Sequence, residues 1–204
     1  MHGSGLVYGS VPGLLTPESV VPALRGRLGR PYRFAESTAS TQRLLGEDDP
    51  EGAVAVADVQ TEGRGRLGRR WLAPAGTSLL VSILLRPRVD PARLPELTVV
   101  AGRACAEAIA EVTGLEPEVK FPNDVLVGGR KVAGILAEAS EGRVVLGVGV
   151  NVTQAPGDLP PDARTPATSL AIEAGRTVDR AELLVALLDR LGRLYDEWLL
   201  ARDG

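Results

Sequence analysis

The stretch Asp124-Val125-Leu126-Val127-Gly128-Gly129-Arg130-Lys131-Val132-Ala133 decides how the chain folds. Gly128-Gly129 is a two-residue turn between two apolar runs, the pattern of a tight β-hairpin. The turn sets Val127 opposite Arg130 and Leu126 opposite Lys131. Side chains alternate along a strand, so Asp124, Leu126, Lys131 and Ala133 are expected on one face, with Asp124 and Lys131 as diagonal neighbours. A second hairpin follows at once, residues 133–139 against 143–152, around Glu141-Gly142. Two consecutive hairpins imply a largely antiparallel sheet.

Working outward, residues 53–59 and 78–85 read as apolar, buried strands, and residues 31–36 and 119–121 as shorter ones. Residues 91–112 carry Leu94, Leu97, Ala101, Ala104, Ala108 and Val112 at helical spacing, and Gly114 ends that helix. Residues 179–201 form a second amphipathic helix with Leu183, Leu187, Leu191, Leu194, Tyr195 and Trp198 on one side. Thr16-Pro17-Glu18 opens a helix expected to run to about Leu28, with Gly29 and Pro31 beyond it. Residues 42–45 open a short helix, residues 167–174 give one or two turns, and residues 154–166 are a proline-rich loop. The fold class is therefore α+β, a mixed, largely antiparallel sheet backed by helices. Residues 1–15 are expected to be a flexible N-terminus, and residues 16–204 one domain.

Composition narrows the function. The chain has 204 residues, is 44% hydrophobic and carries a net charge of −3. The acidic balance argues against general nucleic-acid affinity, so attraction to phosphate must be local. Cys105 is the single cysteine; it adjoins the apolar face of its helix and reads as a packing residue. One cysteine excludes an intramolecular disulfide and suits the cytosol. No apolar run is long enough to span a bilayer. The one histidine, His2, lies in the N-terminal stretch, which leaves no histidine base or His/Cys metal centre. Only two lysines, Lys120 and Lys131, accompany 21 arginines, and both, with Asn123, fall within residues 120–131. Arginine does not substitute for lysine at a geometrically demanding site, so these positions are candidates for chemistry.

Residues 63–71 read Gly-Arg-Gly-Arg-Leu-Gly-Arg-Arg-Trp. Arg64, Arg66, Arg69 and Arg70 concentrate positive charge, and Gly63, Gly65 and Gly68 let backbone N–H groups approach a ligand. The loop is an anion-site candidate; a solvated basic loop is the alternative. It matches GxGxxG formally, but Arg69-Arg70-Trp71-Leu72-Ala73-Pro74 is a poor helix and no acid follows at the required distance, so a dinucleotide fold is rejected. No GxxxxGK[ST] motif exists. Asp124 and Lys131 near this loop suit nucleotide chemistry; the alternative is a cross-strand ion pair of small net stability. Ser40-Thr41 has the chemistry of a helix cap, and the glycines of Gly147-Val148-Gly149-Val150-Asn151 let a ligand lie against the backbone or mark a tight crossing.

Together these pieces resemble the biotin–protein ligases. The signatures are Ser40-Thr41-Gln42, Gln60 with residues 63–71, Lys120-Phe121-Pro122-Asn123-Asp124, Lys131-Val132-Ala133-Gly134-Ile135-Leu136, and Gly147-Val148-Gly149-Val150-Asn151. Gln42 stands where the family usually has Asn, and Phe121 where it usually has Trp. The resemblance implies a fold related to class II aminoacyl-tRNA synthetases. It implies ATP and Mg2+ as cofactors, and biotin as the substrate that is joined to AMP and then passed to a lysine of a biotin carboxyl carrier domain. It further implies that Ser40, Thr41, Gln42 and Gln60 serve the ureido ring, and that Arg64, Gly65 and Arg66 close over biotin and the acyl phosphate. Gly134 and Gly147 would let the flat ligand lie on the strands. Arg69, Arg70, Trp71, Asn123, Asp124 and Asn151 would serve ATP along with Arg64, Asp124 as the Mg2+ contact and Asn151 near adenine. Lys131 and Arg66 would be the catalytic pair. A cytoplasmic monomer or homodimer without DNA binding is expected. The family usually carries a small β-barrel after its long helix, whereas this sequence stops at Gly204. An adenylating or biotin-binding protein without efficient transfer therefore stands as the alternative. Lipoate ligation and RNA binding through the arginine loop are the remaining readings.

Overall fold

Three facts of the sequence place the sheet: its Gly-Gly turn, its glycine-bearing last strand and its β-branched runs. The computed structural model describes residues 13–140, 142–161 and 164–201. The strands are β1 (Tyr32–Thr38), β2 (Val54–Gln60), β3 (Ser78–Leu85), β4 (Pro117–Lys120), β5 (Asp124–Val127), β6 (Arg130–Ser140) and β7 (Arg143–Asn151). They form one sheet in the order β1-β2-β3-β7-β6-β5-β4. Only β1 and β2 run parallel; every other pairing is antiparallel. The sheet is thus mixed and largely antiparallel, as expected.

The helices are α1 (Pro17–Val20), α2 (Glu96–Thr113), α3 (Leu170–Ala174) and α4 (Arg180–Leu200). Helices α2 and α4 pack together and against one face of the sheet. Strand alternation sorts the side chains by face. Leu79, Val81, Ile83 and Leu85 of β3 and Leu146, Val148 and Val150 of β7 point into the helix-covered core, with Leu97, Ala101, Leu187, Leu191 and Tyr195 opposite. Burying one such aliphatic side chain stabilises by about 1.5–3 kcal/mol, so this layer dominates the fold's stability. Cys105 is buried in the same layer, and burial pushes its thiol up to about 12. It packs, as the sequence suggested.

The other face of the sheet carries small and polar residues: Ser82 on β3, Gly134 on β6, and Gly147 and Gly149 on β7. That face is the floor of the candidate site.

Three local expectations need correction. The first helix stops at Val20 and passes into a single 3-10 turn, Val21–Ala23. Pro22 explains this, because it lacks an N–H and its ring clashes with the preceding turn. The regular part of the next helix begins only at Glu96, after a separate turn at Pro91–Arg93 capped by Asp90. Pro95 sits between them. The third concerns the deciding hairpin. Val127 does face Arg130 and Leu126 does face Lys131, but the register then slips, so that Val125 pairs with Ala133 and Asp124 with Gly134. Val132 is the extra residue of a β-bulge. Ala133 consequently joins the buried core instead of sharing a face with Lys131.

Of the expected flexible stretch 1–15, residues 1–12, His2 among them, lie outside the described residues. Leu15 is fully buried, and its carbonyl accepts a bond from the Tyr32 hydroxyl.

Candidate active site

The arginine loop leaves β2 directly and folds back on itself. Trp71 N–H donates to Gly63 O at 2.9 Å and Gly65 N–H to Arg69 O at 2.8 Å, so Arg64 and Arg70 lie in antiparallel register. At the tip, Leu67 (φ 58°) and Gly68 (φ 72°) both take the left-handed conformation, and the Leu67 side chain is exposed. A Cβ on Gly63 would come within 2.2 Å of Trp71 O, so only glycine lets the loop close at its base.

The loop overhangs a cleft of about 340 Å3 on the bare face of the sheet. Ser40, Thr41, Gln42, Gln60, Arg64, Gly65, Arg66, Arg69, Arg70, Trp71, Asn123, Asp124, Lys131, Gly134 and Gly147 all line it. Asn151 does not. It lies in an adjoining cavity of about 670 Å3 that shares Arg69, Arg70, Trp71, Asp124 and Lys131 with the first. The two cavities therefore meet at Trp71 and at the Lys131–Asp124 pair, whose Nζ–Oδ1 distance is 2.6 Å.

Several of these side chains are held by a definite partner. Gln60 Oε1 accepts from Thr41 N–H at 2.7 Å and from the Thr41 hydroxyl at 3.1 Å. With its proton spent on Gln60, Thr41 Oγ1 accepts in turn from the Ser82 hydroxyl at 2.7 Å. Gln60 is thereby oriented, and its amide nitrogen is the end left for other contacts. Gln42 lies beside Gly147, and both ends of its buried amide lack a hydrogen-bond partner among the described residues. A buried amide without partners costs about 1–3 kcal/mol per group, a cost accepted where a polar ligand is to bind. Gly134 and Gly149 face each other across β6 and β7, and the Trp71 indole lies on both. A Cβ at Gly149 would stand 2.7 Å from the ring. The Lys131 ammonium sits 5.8 Å from the centre of the Trp71 ring.

The arginines divide into two groups. Arg64 makes a two-pronged pair with Glu138 at 2.7 and 2.8 Å, Arg66 donates to Asn123 Oδ1 at 3.2 Å, and Arg70 donates to Thr61 O at 2.8 Å. The Arg69 guanidinium has no hydrogen-bond or ion-pair partner among the described residues. Asn151 is buried and partly committed: its amide donates to Thr168 O at 3.0 Å and accepts from Gln154 at 3.1 Å. Among the described residues Asp124 is the one carboxylate lining either cavity, and one of its oxygens is engaged by Lys131. No group of three or more His, Cys, Asp or Glu suited to a metal exists among the described residues.

Several lining residues escaped the sequence reading, Ser82 and Arg164 among them. Ser82 was findable: it and Ser78 are the two polar residues of a buried strand, and both lie on one face. Arg164 also lines both cavities, yet it sits in a proline-rich loop with no recognisable motif.

A glycine-lined slot thus lies on the bare face of the sheet, under the arginine loop and beside Lys131. The chain belongs to the biotin/lipoate A/B protein ligase family, whose model matches residues 33–154. It is 35% identical over 198 residues to the bifunctional ligase/repressor BirA of Bacillus subtilis, spanning 92% of this chain and 61% of that protein. It is 40% identical over 154 residues to the biotin–[acetyl-CoA-carboxylase] ligase of Mycobacterium tuberculosis, spanning 74% of this chain and 56% of that one. A solved structure of biotin protein ligase from Aquifex aeolicus, in complex with biotin and ATP, superimposes with a TM-score of 0.75 at 36% identity, covering 82% of this chain and 71% of that chain. The chain thus spans about three fifths of the length of the curated relatives it matches. Among the described residues no helix is long and apolar enough to cross a membrane.

Proposed function

We propose that the chain is an ATP-dependent ligase that activates biotin as biotinyl-5'-AMP and passes the biotinyl group to a lysine of a biotin carboxyl carrier domain, in the cytosol. The observation that carries this reading is the Lys131–Asp124 pair, which stands where the two cavities meet. One cavity suits a small, neutral-headed acid; the other, lined by Arg69, Arg70 and Asn151, suits a nucleotide.

In this reading Gln60, Gln42, Ser40 and Thr41 hold the ureido ring, and Gly134 and Gly147 let the ligand lie flat. The carboxylate then points at Lys131. Attack on the α-phosphorus piles negative charge on the reacting oxygens, and the Lys131 ammonium stabilises it as a compact point charge. Holding both reactants in contact supplies much of the remaining acceleration. Arg64 and Arg66 neutralise the mixed anhydride, and the folded-back loop shields it from water. Magnesium would enter with the nucleotide and offset phosphate charge, and Asp124 would be the carboxylate to hold it. In the second step a carrier lysine amine attacks the acyl carbon and AMP leaves.

The test is mass spectrometry of a carrier domain incubated with the protein, biotin, ATP and Mg2+. A gain of one biotinyl group supports the reading. Pyrophosphate release without labelling would replace it with an adenylating protein that does not transfer. Biotin binding without pyrophosphate release would replace it with a binder. Labelling by octanoate or lipoate in preference to biotin would move it to the lipoate branch.

A further inference from the structure

The second cavity holds more positive charge than the motifs account for. Among the described residues it is walled, besides Arg69, Arg70 and Lys131, by Lys120 and Arg164, against one acid, Asp124. Arg164 is exposed and has no hydrogen-bond or ion-pair partner among the described residues. Among the described residues Lys120 Nζ reaches only a neutral group, the Thr165 hydroxyl, at 3.1 Å. In a protein of net charge −3, most site arginines find partners, so such uncommitted cations together are a local exception. The segment bearing Arg164 is also fixed close to the reacting lysine. Lys131 N–H donates to Pro166 O at 2.8 Å, and Thr168 N–H donates to Lys131 O at 2.9 Å. Arg164 thus stands two residues from a backbone clamp on Lys131.

From this geometry we propose that Arg164 and Lys120 form the seat of the leaving pyrophosphate. The inference rests on the ligase reading above. As a carboxylate oxygen bonds to the α-phosphorus, the bond from that phosphorus to the β-bridging oxygen breaks, and its electron pair departs with pyrophosphate. The leaving group exits on the side opposite the acid, which is the second cavity. It gains charge as it leaves. Two cations at that end stabilise the change, and arginine's planar fork binds phosphate oxygens in pairs. Lys120 would exchange its neutral hydroxyl partner for the anion.

The experiment is calorimetric titration of the full chain with inorganic pyrophosphate and, separately, with orthophosphate. Wild type is expected to bind pyrophosphate more tightly than orthophosphate. Arg164→Ala should weaken pyrophosphate by about tenfold or more, in line with loss of a charge-assisted contact. Arg164→Lys should recover part of it. In pyrophosphate exchange the same substitution should raise KM for pyrophosphate. Equal pyrophosphate affinity in wild type and Arg164→Ala, or no pyrophosphate binding to wild type, would overturn the proposal. Arg164-dependent pyrophosphate binding in a protein that catalyses no biotin-dependent exchange would sink the ligase reading and leave the anion seat standing.

Discussion

The Lys131 ammonium lies 2.6 Å from the Asp124 carboxylate, across a hairpin and at the meeting point of two cavities. Both side chains are about a quarter exposed or less, at 26% and 21%. A pair this close to solvent contributes on the order of 1 kcal/mol or less to stability. The charge stabilisation asked of Lys131 in the reaction is larger, about 10²-fold or more in rate. Lys131→Ala should therefore lower biotin-dependent pyrophosphate exchange by at least that factor while the melting temperature moves little. Lys131→Arg should rescue poorly. A mutant with normal exchange would remove Lys131 from the chemistry.

Arg66 reaches Asn123 across the cleft mouth at 3.2 Å, bridging the loop to the segment before β5. Without that contact the loop covers the intermediate less well. Arg66→Gly is expected to keep part of its adenylation but release biotinyl-AMP, seen as free intermediate in a filtration assay. Full retention of the intermediate would refute the loop's sealing role.

Gly149 has no room for a side chain under Trp71. Gly149→Ala would place a methyl group 2.7 Å from the indole, so the ring must move. The other tryptophan, Trp198, is held by Glu96 at 2.6 Å in the helical layer and serves as an internal reference. A shift in tryptophan emission is expected, with biotin affinity reduced about tenfold or more, the scale of a 1–3 kcal/mol overpacking penalty. Unchanged emission and affinity would mean that the ring is not seated on this glycine pair.

Asp49 accepts both prongs of Arg33, at 2.6 and 2.7 Å, and a bond from Gly46 N–H. The Arg33 bonds chiefly hold its carboxyl below the usual range. A depressed carboxylate stabilises the fold above its unfolded-state value of about 4, and that contribution fades as pH falls through the folded-state value. Asp49→Asn should be less stable than wild type at neutral pH by about 1 kcal/mol, and the gap should narrow below about pH 4. Parallel stability curves through the acid range would contradict the pairing.

The parts of this structure that the sequence announced are those with local causes. Gly128-Gly129 specifies its own hairpin, Gly114 ends its helix with a left-handed cap, and Asp179 caps the long helix through bonds to Ala181 and Glu182. The family-like motifs likewise collect almost the whole cleft lining. What remained hidden was non-local or irregular. Nothing in residues 78–85 says that they pair with residues 144–151, leaving β7 at the sheet's centre. Pro22 carried a readable warning that the apolar spacing around it obscured. Arg164 gave no signal, because a lone arginine in a proline-rich loop acquires meaning only when Lys131 bonds to Pro166 and Thr168.

The extra residue at Val132 has a consequence for how this molecule can change. It works as a phase slip: upstream of it β6 offers Lys131 to the reacting side, and downstream Ala133 faces the oily layer beneath α2. Removing that one residue would restore ideal pairing and, in the same stroke, turn either the ammonium inward or the alanine outward. Neither half of the strand can be retuned alone, so the position of the reactive charge is inherited along with the hydrophobic interior.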